Sequence, residues 1–332
     1  MSATLESGTA EITPQLQSPE LQVAGPQPAG NSFPRVELFG VEVDVVRMGD
    51  VVRIVQDWIA DSTRSCRYVV TPNVDHAVML QHHDGLQASY REAALVLADG
   101  WPVVAASRLL GKPLPARVAG SDLVPTLFDS VAPDPQLDVF LLGAAAGVAD
   151  QAAERIHARW STVRVVETYS PPLGFENDAA ENEEILQRIS KASPDVLVVG
   201  LGAPKQELWM HRHYSQIDAS VALCVGATID FLAGHRRRAP VWMQRTGLEW
   251  LIACLENRVV WLAGTDAMPS SFPNSFTANG CAIDKARRAS FEVALFGDSN
   301  TSPRFAVATV ARRWNGIAKP AGSGGQATLS RA

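Results

Sequence analysis

Six short runs of branched apolar residues, separated by stretches of helical character, constrain this chain more than any other feature of its sequence. The runs are Tyr68–Thr71, Leu95–Ala98, Val139–Leu142, Val163–Glu167, Val196–Val199 and Val221–Val225. Intervening stretches such as Asp150–Trp160 and Ala180–Lys191 read as helices. Strands rich in Val and Leu that alternate with helices build a sheet covered on both faces. The expected fold class is therefore α/β, with mostly parallel strands and helices on both faces. Upstream, "VELFGVEVDVV" predicts one or two short strands around a Gly turn. "MGDVVRIVQDWIAD" then predicts an amphipathic helix with Val51, Ile54, Val55 and Ile59 on one face.

The bulk numbers agree with a globular reading. The chain has 332 residues, 46% hydrophobic and 19% charged, enough for a substantial core. No apolar run approaches the roughly 18 residues that span a bilayer. No basic segment followed by an apolar one marks a signal peptide at the N-terminus. Cys66, Cys224, Cys254 and Cys281 form neither a CxxC pair nor a zinc spacing and read as reduced thiols in a cytoplasmic setting. Charge is uneven: from Arg236 onward 13 Lys/Arg face 6 Asp/Glu, a net of +7, against −13 before it. A basic tail on an acidic body suits a diphosphate or an anionic lipid surface. Nucleic acid is disfavoured by the acidic body and the lack of a binding motif.

Three segments are expected: a disordered leader over 1–34, a catalytic domain over 35–255, and an irregular basic tail over 256–332. In open α/β sheets ligands sit beyond the carboxyl ends of the strands. Five such ends here carry unusual residues: Thr71–His76 ("TPNVDH"), Asp99–Pro102 ("DGWP"), Gly143–Gly147 ("GAAAG"), Gly200–Glu207 ("GLGAPKQE") and Gly226–Gly234 ("GATIDFLAG"). Glycine, amide, carboxylate and Lys gathered at strand ends are the composition of a polar site.

These motifs, with "LPARVAGSDLV", "SPPLGF" and "RRAPVWMQRTGLEWL", closely resemble the WecG/TagA/CpsF family of glycosyltransferases, in order from about Val36 to Leu251. The resemblance implies two Rossmann-like halves flanking a cleft. It implies a UDP-sugar donor, commonly UDP-N-acetylmannosamine or its uronic acid, and an undecaprenyl-diphosphate-linked acceptor, commonly bearing GlcNAc. It implies transfer with inversion, and a peripheral enzyme on the inner face of the cell membrane, reaching the bilayer through its C-terminal region. A homo-oligomer is compatible with it.

The resemblance gives Asp99 the role of base for the acceptor hydroxyl; without it, a cap for the following helix or turn is the favoured reading of Asp99. Thr71 and Asn73 are placed against sugar hydroxyls or an N-acetyl group, or else make a turn around Pro72. Arg117 suits a diphosphate, or a surface ion pair. "GSD" at 120–122 looks like a helix cap. Gly202, Lys205 and Gln206 suit donor binding; the alternative is a tight turn with Lys205 and Glu207 solvated. Asp230 bonds a donor hydroxyl or caps a turn. "GAAAG" brings amides to a phosphate or packs tightly against its neighbours.

No Asp-x-Asp triplet is present, so no metal and no other cofactor is expected, and Arg, Lys and helix N-termini are left to stabilise the leaving UDP. His82, His83 and Asp84, or His211 and His213, read better as helix surface than as metal ligands. Arg236–Arg238, Trp242, Arg245 and Trp250 suit the acceptor or the membrane, or form a helix face with core tryptophans. Beyond about Thr265 the resemblance ends; Pro303–Lys319 has the composition of an interfacial helix. Two other functions fit part of the pattern. A nucleotide-dependent oxidoreductase or epimerase would need the full glycine fingerprint, and Lys205 stands at its third glycine. A non-catalytic scaffold in polysaccharide assembly would keep the fold without turnover.

Overall fold

The computed structural model describes residues 33–236. All but the last two residues of the expected leader, the expected tail, and the basic aromatic stretch after Arg236 lie outside them.

All six expected strands form, within one or two residues of their expected bounds. A hairpin comes first: β1 (Arg35–Leu38) and β2 (Val41–Asp44), antiparallel. Phe39 and Gly40 make its turn with φ of 56° and 83°, the paired left-handed geometry that matches strand twist and favours Gly. Next come α1 (Met48–Ala60), β3 (Arg67–Val70), α2 (Val74–Met79), α3 (Asp84–Glu92), β4 (Leu95–Val96), α4 (Trp101–Leu109) and α5 (Gly120–Asp129). The chain continues through β5 (Leu137–Gly143), α6 (Val148–Arg159), β6 (Val163–Tyr169), α7 (Ala179–Ala192), β7 (Val196–Gly200), α8 (Lys205–His213), β8 (Val221–Cys224) and α9 (Thr228–Ala233).

Strands β3 to β8 form one all-parallel sheet in the order β4-β3-β8-β7-β5-β6. The two halves are the wings of this sheet. β3 and β4 step toward one edge, β5 and β6 toward the other, and the last two strands fill the centre. The order reverses there, and in open α/β sheets such a reversal is where ligands usually bind.

Side chains alternate across the sheet with period two. Val69, Leu95, Val139, Leu141, Val198 and Leu223 pack on one face with α1, α5, α6 and α9. Tyr68, Val70, Val96, Phe140, Leu142 and Val199 pack on the other with α3, α4, α7 and α8. Each wholly buried Val, Leu or Phe contributes about 1.5–3 kcal/mol by leaving water, so the double core explains why strand runs lack polar alternation.

An ion pair attaches the hairpin to the edge of the sheet. Arg35 Nε donates to Asp44 Oδ1 at 2.9 Å, and Val96 N–H donates to Asp44 Oδ2 at 2.8 Å. Arg35 also donates to the carbonyls of Ala93 and Ala94. Burial pushes the Asp44 carboxyl above its usual range against the pull of Arg35. Cys66 and Cys224 are free and buried.

Candidate active site

The strand-end loops are joined to one another by hydrogen bonds. Asp99 N–H donates to the Pro72 carbonyl at 2.9 Å, so the loop after β4 is fastened to the loop after β3. Val118 N–H donates to the Ala98 carbonyl at 2.9 Å and holds Arg117 on the opposite flank of the Asp99 turn. Thr71 Oγ1 donates to the Cys224 carbonyl at 3.1 Å, carrying the link to β8. Gly226 N–H donates to Gln206 Oε1 at 3.2 Å, carrying it to β7 and α8. Thr71, Asn73, Asp99 and Arg117 therefore belong to one wing, and Gly202, Lys205 and Gln206 to the adjoining centre.

Asp99 is half-buried and precedes Gly100, whose φ of 107° turns the chain into α4. Arg117 Nη2 pairs with Asp122 Oδ2 at 2.7 Å, from the first turn of α5. That helix starts at Gly120 with Ala119 at its cap, one residue before the expected "GSD". Gly120 is required by packing: a Cβ there would lie 2.7 Å from Val225 Cβ.

Asn73 caps α2, its Oδ1 accepting from the N–H groups of Asp75 at 2.9 Å and His76 at 3.2 Å. Gly202 has φ of 79° with open space around its Cα, so conformation and not crowding requires the glycine. Lys205 Nζ lies 3.0 Å from Glu176 Oε1. Burial would raise the Glu176 carboxyl, but its own backbone N–H and Lys205 outweigh it and hold the group below its usual range. Both ends of the Gln206 amide are used inside the protein, its nitrogen donating to Glu207 at 2.8 Å. Asp230 lies in α9, half-exposed, its carbonyl accepting from His235 and Arg236.

β4 and β7 are three strand positions apart in the sheet, roughly 14 Å at the usual spacing. Asp99 thus stands at the edge of the row of loops and Lys205 near its centre, an arrangement suited to an elongated ligand with a reactive centre at one end. In the "GAAAG" turn Gly143 is required by packing: a Cβ there would come within 2.5 Å of the Gly200 backbone. His83 caps α3 through Nδ1, and His211 Nδ1 lies 3.4 Å from Glu92.

The alternative of a tight turn with a solvated Glu207 does not hold: Glu207 is wholly buried and contacts His76. The spacing carried a signal: Gln206, Glu207, Trp209 and Met210 share the buried face of α8, so helical period alone turns Glu207 inward.

The fold and these loops define a doubly wound α/β protein whose polar loops gather at the carboxyl ends of the central strands. A family model described as "Glycosyl transferase WecG/TagA/CpsF family" matches residues 36–262, and the chain belongs to that family. Relatives from Staphylococcus aureus strains NCTC 8325 / PS 47, COL and MRSA252 are each 28% identical over 221 residues. The match covers 67% of this chain and 84% of theirs. Each is named N-acetylglucosaminyldiphosphoundecaprenol N-acetyl-beta-D-mannosaminyltransferase.

Proposed function

We propose that this protein is an inverting glycosyltransferase of cell-surface polysaccharide or teichoic acid assembly. It moves N-acetylmannosamine, or a related hexose or uronic acid, from a UDP donor to an undecaprenyl-diphosphate-linked acceptor. The observation that carries the reading is the fastening of the Asp99 turn to the Thr71–Asn73 loop on one side and to the Arg117 segment on the other. A carboxylate, sugar-binding groups and a guanidinium are the parts this reaction needs close together.

In the proposed step Asp99 takes the proton of the acceptor hydroxyl. The oxygen forms its bond to the anomeric carbon as the bond to the diphosphate breaks, and UDP departs with the electron pair. Arg117, Lys205 and backbone amides near Gly202 balance the charge on the leaving group. Gln206 holds the loop beneath it, and Thr71, Asn73 and Asp230 orient the sugars. No metal is needed in this scheme. The acceptor's lipid tail requires work at the cytoplasmic membrane face. No helix among the described residues is long and apolar enough to cross a membrane, and the basic C-terminal region suits surface contact.

The test is a panel of UDP-sugars offered to polyprenyl-diphosphate-GlcNAc and related acceptors, with and without EDTA. The reading expects transfer of an N-acetylhexosamine that survives EDTA. No transfer from any UDP-sugar, with the protein folded and vesicles present, would overturn it.

A further inference from the structure

β4 is the last strand on its side of the sheet and pairs only with β3. It is buried all the same: Val96 is wholly out of water and Ala98 nearly so. Its outward backbone groups therefore cannot turn to solvent, and each needs a partner from the protein. Leu97 and Asp99 donate inward, to the carbonyls of Val70 and Pro72, both at 2.9 Å. Ala94, Val96 and Ala98 alternate with them and face the other way.

Among the described residues no strand pairs on that outer side. Two side chains of the hairpin take its place. Arg35 and Asp44 sit opposite each other in the hairpin register. Asp44 Oδ2 accepts from Val96 N–H at 2.8 Å, and Arg35 Nη2 donates to the Ala94 carbonyl at 3.1 Å. The Ala98 carbonyl, next along, accepts from Val118 N–H at 2.9 Å. The Arg35 and Asp44 side chains are joined at 2.9 Å and are only 4% and 0% exposed. An acceptor and a donor on one fixed unit offer β4 what a neighbouring strand would.

A buried ion pair is a weak source of stability, because apolar side chains of like volume often serve as well. What this one adds is register. Apolar contacts along a strand tolerate a small slide, but a carboxylate oxygen bonded to one particular N–H does not. Asp99 lies three residues beyond Val96, roughly 10 Å at the usual strand rise. A reacting group has to stand within about 0.5 Å of its working position, and a misplacement of about 1 Å can cost about 100-fold in rate.

We propose that Arg35 and Asp44 are a positioning pair that stands in for a strand along the outer edge of β4 and so sets where the Asp99 turn meets the acceptor hydroxyl. The inference rests on the glycosyltransferase reading and deepens it.

The test uses full-length wild type and two double variants, neither of which leaves a buried charge unpaired. Arg35→Met with Asp44→Leu removes both contacts to β4. Arg35→Met with Asp44→Asn keeps an oxygen for the Val96 N–H. The first is expected to lose about tenfold or more in kcat, with KM for the donor within about twofold of wild type. The second should hold kcat within about threefold. Equal kcat losses in the two, an unchanged kcat in the first, or a donor KM that rises as far as kcat falls would overturn the proposal.

Amide hydrogen exchange gives a readout independent of turnover. In the first variant the Asp99 amide should exchange at least about tenfold faster, while that of Gly226, on the adjoining loop, keeps its rate. No change at Asp99, or equal acceleration at both, overturns the proposal. In wild type the Val96 amide should be as slow as that of Val70 in the neighbouring strand; a fast Val96 amide overturns it even if both variants fail to fold. If wild type transfers no sugar while the Asp99 amide responds as expected, the glycosyltransferase reading fails and the positioning of the turn stands.

Discussion

The backbone N–H of Asp99 donates to the carbonyl oxygen of Pro72 across 2.9 Å. This bond continues the parallel pairing of β3 and β4 past the end of the regular ladder. It gives a loop residue the backbone fixity of a strand residue, which the proposed base would need in order to meet a hydroxyl at a set distance.

Asp99→Asn keeps that backbone bond and the side-chain volume but removes the proton-accepting oxygen. Turnover is expected to fall by about 10²–10⁴, the usual worth of a positioned base. KM for the donor and the melting temperature should stay near wild type. Steady-state rates together with a thermal melt check this, and near-normal turnover would end the assignment of Asp99 as base.

Gly143 and Gly147 bound the same turn and differ in what surrounds them. Both have positive φ, 112° and 78°, so an alanine at either is strained by about 1–2 kcal/mol. Around Gly147 nothing lies within 4 Å of an added Cβ, whereas at Gly143 it would strike the Gly200 backbone at 2.5 Å. Backbone cannot swing aside, so Gly143→Ala should cost about 1–3 kcal/mol more than Gly147→Ala in urea unfolding. It should also raise KM for the donor, because Gly200 leads into the Lys205 turn. Equal costs would mean the turn relaxes freely.

The sequence carried the strands well because burial on both faces writes itself into uninterrupted runs such as Val196–Val199. It said less about their order. β7 and β8 come last in the chain yet occupy the centre, and nothing within a Val-rich run names its neighbours. Asn73 was legible as a turn former from its place after Pro72, and it caps α2. The burial of Glu207 was not legible, because charged side chains are seldom fully buried without a partner. Its partner, His76, is 131 residues away in the chain, a distance over which local pattern carries no information.

His213 stacks near Trp209, ring centroids 5.1 Å apart, and both its nitrogens are buried without a hydrogen-bond partner among the described residues. Burial, with help from Arg212, holds the imidazole below its usual range. The unfolded chain therefore binds this proton more readily than the folded one. Stability from the neutral ring is present above the unfolded value near 6.5 and drains away as pH falls through the folded one. His213→Phe, which cannot take up a proton, should melt closer to its neutral-pH temperature at pH 5 than wild type does. Parallel pH–melting curves for both proteins that fall equally steeply would show that the acid sensitivity arises elsewhere.

Lys205 and Glu176, paired at 3.0 Å, separate a binding role from a structural one. The pair is partly exposed, so its own worth to stability is small, about 0–1 kcal/mol. If Lys205 serves the donor diphosphate, Lys205→Met should raise KM for the donor about tenfold with little change in the melt. Glu176→Gln removes the competing carboxylate and leaves the ammonium to the ligand, so KM should hold steady or fall. The Lys205 effect should also shrink as salt rises, because an exposed cation's pull on a phosphate is screened. A purely structural ion pair behaves otherwise: both variants lose similar stability, and neither moves KM.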